Sequence, residues 1–83
     1  MRLYTEEEFR TLSQYRSYFE TAQRNWARRM SGTDADTILR IYKDASGDRH
    51  RQLNKGCGTC VLHLLQDAGK IFFDTAEFFD KTK

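Results

Sequence analysis

Chemistry in this 83-residue chain concentrates where Cys57, Cys60 and His63 follow one another at intervals of three. Cys57-x2-Cys60 is half of a structural zinc site, because two thiolates at a turn entering a helix can take two tetrahedral corners. His63 repeats the interval and His50 lies upstream, so Cys57, Cys60, His63 and His50 would complete a Cys2His2 set. The spacing His-x6-Cys-x2-Cys-x2-His departs from the standard finger pattern, and no second Cys-x2-Cys exists. The plainer reading makes Cys60 a small core residue, Cys57 a turn residue and His63 a partly exposed helix residue. That reading is preferred, and no metal or other cofactor is expected.

Cys-Gly-Thr-Cys also spells a redox pair, since a helix N-terminus lowers the pKa of the first thiol and makes it the nucleophile. Thioredoxin-like folds place a strand before that helix, and residues 49–55 do not read as one. A pairing of Cys57 with His63 or His50 as nucleophile and base lacks an orienting residue and an oxyanion site. The chain therefore reads as a non-enzyme, with a reversible disulfide as the milder use of the two thiols.

Basic residues are the second candidate feature. The net charge is only +2, too little to imply nucleic-acid binding by itself. Between Arg24 and Lys55, however, eight Lys/Arg stand against four Asp. Arg24, Arg28 and Arg29 stand at the end of the expected first helix, and Arg49, Arg51 and Lys55 crowd the segment before the cysteines. Cations at a helix C-terminus satisfy its dipole, which accounts for Arg28 and Arg29 without any ligand. Together the six would form a patch for phosphate or for an acidic protein surface.

These residues must be positioned by helices. Thr5-Glu6-Glu7-Glu8 is a capping box, with Tyr4 and Phe9 at the staple positions. Phe9, Leu12, Tyr15, Phe19, Ala22, Trp26 and Met30 then recur at steps of three or four, which predicts one helix over residues 5–30 with Trp26 in the core. Ser31-Gly32 is its expected stop. Thr33 and Asp34 are candidate N-caps for a short second helix through Ile38, Leu39, Ile41, Tyr42 and Ala45, ended by Gly47. Residues 47–56 form a basic loop anchored by Leu53. A third helix is predicted over residues 58–80, running through Gly69 at a cost of about 1 kcal/mol relative to Ala. Phe73 and Phe78 fall off the stripe that carries Phe72 and Phe79. Either the helix is wrapped on two sides, or it shows an apolar face to a partner, a second copy included.

The expected fold is a single all-α domain over residues 1–83, a small three-helix bundle of two long helices and one short. The longest uncharged run, from Gly56 to Gln66, is too short to span a membrane, and no export signal is visible, so a cytoplasmic setting is expected.

The layout of Tyr4-Thr5-Glu6-Glu7-Glu8-Phe9, a basic loop, and Gly56-Cys57-Gly58-Thr59-Cys60 opening a Leu- and Phe-rich helix resembles small proteins encoded by bacteriophages of gut-type bacteria. The long first helix with its arginines departs from that layout. The resemblance implies a phage accessory protein, a group that includes virion parts and inhibitors of host defence such as anti-CRISPRs. The expected function is binding to a protein or ribonucleoprotein complex, with nucleic-acid contact open. Arg24, Arg28, Arg29, Arg49, Arg51 and Lys55 would supply charge, and Phe73 or Phe78 an apolar anchor. The alternatives are a zinc-stabilised virion protein and a thiol-redox protein.

Overall fold

The computed structural model describes residues 2–26, 29–54 and 56–81. Within them the chain forms four α-helices: α1 (Glu6–Ser13), α2 (Arg16–Gln23), α3 (Gly32–Ser46) and α4 (Gly58–Lys81). The all-α class holds, with one helix more than the predicted three.

Helix α4 is the spine. Its 24 residues, at ~1.5 Å each, account for most of the 40 Å long axis of the molecule. Leu64, Leu65, Ala68, Gly69, Ile71, Phe72 and Thr75 are buried along it. Steps of three and four put these on one wide stripe, and α1, α2 and α3 all pack on α4. The predicted continuity through Gly69 is correct, but that glycine is no idle cost. A Cβ added there would stand 3.1 Å from the Phe19 Cβ and 3.1 Å from the Gln23 amide nitrogen, so α2 crosses α4 against bare backbone.

Phe72 is the centre of the core rings. Phe9 and Phe19 meet it edge-on at 4.8 and 5.1 Å, and Phe73 stacks on it at 5.5 Å. Offset and edge contacts of this kind add about 0.5–1.5 kcal/mol each to the burial of the rings. Tyr4 seals the stripe: its hydroxyl donates to the Ala68 carbonyl at 3.0 Å and its N–H to the Thr75 hydroxyl at 3.1 Å. Burial pushes the Tyr4 phenol far above its ordinary pKa, so it stays neutral.

The predicted helix over 5–30 is two helices. Its stripe is right, with Leu12, Tyr15, Phe19 and Ala22 all buried, but its continuity is not. The Thr11 and Ser13 hydroxyls donate to the Glu7 and Phe9 carbonyls, a back-bonding that bends helices. After the break, buried Tyr15 donates its hydroxyl to Asp34 at the start of α3, at 2.8 Å. The Arg16–Glu20 pair forms on α2, at 3.1 Å.

Helix α2 ends early in a Schellman motif. Asn25, with φ of 61°, donates its N–H to the Ala22 carbonyl, and Trp26 donates to Thr21. Asn is among the few residues that enter the left-handed region readily. The chain is thereby turned off the core, and Trp26, expected inside, is 65% exposed. Ser31 caps α3 by accepting from the Asp34 N–H, two and three residues ahead of the Thr33 and Asp34 predicted for that role, and Gly47 closes it in the left-handed region as expected.

The capping box at Thr5 is present. Arg2 fastens it to α3, donating to Glu8 at 2.8 and 3.1 Å and to Asp44 at 2.9 Å. The guanidinium holds the Glu8 carboxyl below the usual carboxylate range. A depressed carboxylate stabilises the fold above its unfolded-state pKa, and that contribution is lost as pH falls through the folded one. Glu8→Gln should therefore destabilise the protein at neutral pH and leave it less sensitive to acid, as an acid titration followed by circular dichroism would read. Phe19→Ala should cost about 3–5 kcal/mol, whereas Trp26→Ala should cost under about 0.5 kcal/mol. Urea melts of the two variants check the reversal of their expected equivalence.

Candidate functional site

Two places on this scaffold carry chemistry. The first is the start of α4. Cys57 immediately precedes the helix and serves as its cap: its carbonyl accepts from Val61, and its sulfur accepts from the Cys60 N–H at 3.3 Å. The two sulfurs are in contact, with the Cys60 thiol donating to Cys57. That donation, joined by the Cys60 N–H, pulls the Cys57 thiol below its ordinary pKa. Cys60, as the donor, is pushed up, while the Arg51 charge acts on it in the opposite sense. Both cysteines are free and half-buried.

The Cys2His2 arrangement is not assembled. His63 is exposed on α4 and His50 is exposed in the loop. The loop is tethered by Arg51 to Asp67 and by Leu53 against the core. Among the described residues no group of three or more His, Cys, Asp or Glu is close enough to hold a metal ion. Cys57 thus has a second thiol as its neighbour, and neither histidine.

The second place is a groove of about 610 Å³ between α1 and α3. Glu7, Glu8 and Thr11 form one wall, Arg40, Lys43 and Asp44 the other, and Gly47 and Arg49 close the end. Arg2 engages Glu8 and Asp44. Arg40, Lys43 and Arg49 form no ion pair among the described residues.

The described members of the six basic residues singled out in the sequence are divided by the fold. Arg49 is exposed on the groove. Arg51, two positions on, turns the other way, pairing with Asp67 at 2.9 Å and lying 5.6 Å from the centroid of the Tyr42 ring. Arg24 caps the end of α2, and Arg24 and Arg29 are both exposed. Arg28 and Lys55 lie outside the described residues. Arg40 and Lys43 join Arg49 instead. Their i,i+3 spacing on α3 puts them on one face, a signal the basic count contained but did not single out.

The two phenylalanines also differ. Phe73 stacks on Phe72 and is half-buried, so the helix is partly wrapped there. Phe78 is 51% exposed and shares a shallow groove with Leu3, Asp74, Glu77 and Lys81. No described helix is long and apolar enough to cross a membrane. No protein-family model, curated protein or solved structure matches the chain.

The split between Arg49 and Arg51 is measurable. Arg51→Ala removes a partly buried pair and a ring contact, and should lower stability by about 1 kcal/mol. Arg49→Ala should leave the denaturation midpoint unchanged. Equal effects would mean that the loop is not anchored through Arg51.

Proposed function

We propose that this chain acts by binding, docking an acidic protein surface on the face formed by the α1–α3 groove and its apolar neighbour. The observation that carries the reading is the meeting of Arg40, Lys43 and Arg49, cations from a helix and a loop, in one groove with no ion pair among the described residues. Their carboxylate neighbours Glu8 and Asp44 share one cation, Arg2, which bridges both. Arg2, Arg40, Lys43 and Arg49 thus stand against Glu7, Glu8 and Asp44, four cations to three carboxylates, with the three groove cations unpaired among the described residues.

A candidate apolar anchor is joined to this groove through the N-terminal segment. Arg2 spans Glu8 and Asp44 on its wall, and the next residue, Leu3, lines the hollow that holds Phe78. A charged groove beside an exposed aromatic suits a protein interface, where a buried ring supplies affinity and complementary charge supplies rate and orientation. A nucleic-acid backbone fits less well. Glu7, Glu8 and Asp44 alternate with the cations and would repel a continuous run of phosphates.

The resemblance to phage-encoded proteins gives this reading a setting: an accessory or inhibitory factor that occupies a host protein or ribonucleoprotein complex in the bacterial cytoplasm. No bond is made or broken in such a role.

Fluorescence anisotropy with a Glu-rich peptide and with a DNA duplex, over a salt series, tests the partner class. The peptide should bind at least as tightly as the duplex, and added salt should weaken it. Arg40→Glu, Lys43→Glu and Arg49→Glu together should reduce peptide binding several-fold while leaving the melting temperature nearly unchanged. Tighter duplex binding with a steep salt slope would instead make the groove a nucleic-acid surface.

A further inference from the structure

We propose that Cys57 and Cys60 form a thiol–disulfide exchange site, a dithiol that reduces small aliphatic disulfides and closes on itself as a disulfide within one helical turn. The site stands apart from the α1–α3 groove and does not depend on its function.

Three features of the geometry assign it. The sulfurs already face each other, with the Cys60 thiol aimed at Cys57. Cys57 occupies the capping position, where the Cys60 N–H points at its sulfur and favours the thiolate that exchange requires. Gly56 and Gly58 flank it, and nothing lies within 4 Å of a Cβ built at Gly58, so an incoming disulfide meets little side-chain bulk on that side.

The roles follow from the hydrogen bonds. Cys57 accepts from both the Cys60 thiol and the Cys60 N–H, so Cys57 is the attacking sulfur and Cys60 the resolving one. The Cys57 thiolate attacks one sulfur of the disulfide R–S–S–R; that S–S bond breaks, and R–S⁻ leaves and takes up the proton Cys57 had lost. Cys60 then bonds to the Cys57 sulfur, expelling the second R–S⁻, which takes the Cys60 proton. The protein dithiol loses two electrons, and one small disulfide becomes two thiols.

The cross-link spans Cys57 to Cys60 and joins no two helices. A staple that holds a fold closes a long loop or ties separate elements; this one constrains a single turn. Its use is therefore exchange and not stability.

The test incubates the reduced full-length chain with oxidised glutathione and follows its mass and free thiols. The wild-type chain should lose both thiols, end two hydrogens lighter and carry no glutathione, with an unchanged circular dichroism spectrum. Cys60→Ser, or Cys60→Ala, should stop at a glutathione adduct on Cys57. Cys57→Ser should react about tenfold more slowly. A wild-type chain that keeps both thiols, retains glutathione or links into dimers would overturn the proposal, as would equal rates for the two single variants.

Discussion

The fold depends on how closely α2 can approach α4. At Gly69 the spine presents backbone where other residues would present a side chain, and Phe19 and Gln23 occupy the space. Phe19 thereby reaches Phe72, which Phe9 and Phe73 enclose from other directions. The approach is fastened on its polar side by reciprocal amide bonds. Gln23 donates to the Gln66 carbonyl at 3.1 Å, and Gln66 donates to the Ala22 carbonyl and the Asn25 side chain at 2.9 and 2.8 Å. In a chain this short a single core has little stability in reserve, so a crossing that sets the position of three rings governs the rest.

What the core does not use is left at two edges. Arg2 closes the N-terminal segment onto both α1 and α3 by bridging Glu8 and Asp44, and Arg40, Lys43 and Arg49 are left without an ion pair among the described residues. At the other edge, α4 begins with a sulfur as its cap, which puts a thiol where the first free N–H groups of a long helix point. Both features follow from how helix ends are satisfied. Neither asks for a deep cavity, which three shorter helices packed on one spine are poorly suited to enclose.

Much of the fold was legible because apolar spacing survives local breaks. The stripe from Phe9 to Ala22 faces inward whether or not its helix is continuous, and α4 reads through Gly69 because residues on both sides keep one phase. The break at Gln14 and Tyr15 was not legible, since the partner that draws Tyr15 is Asp34, nineteen positions away. Asn25 is a recognised helix stop, but Trp26 and Met30 continue the period and mask it. The same holds at the sites. Cys-x2-Cys at a helix start could be read directly. The opposite fates of Arg49 and Arg51 could not, because Asp67 decides them from the far side of the loop. His50 and His63 share spacing with the cysteines but not their surroundings.

The most direct measurement of the central constraint is the stability of Gly69→Ala. Helix propensity alone would make the change favourable by about 1 kcal/mol, with no other effect in an open helix. Here the added methyl meets the Phe19 Cβ, which is fixed to its own backbone and cannot swing aside as a flexible chain end could. Overpacking of this kind costs about 1–3 kcal/mol, so a urea melt should show the variant less stable than the parent. A variant more stable than the parent would contradict the account, and would place the controlling contact of the fold somewhere other than the crossing of α2 over α4.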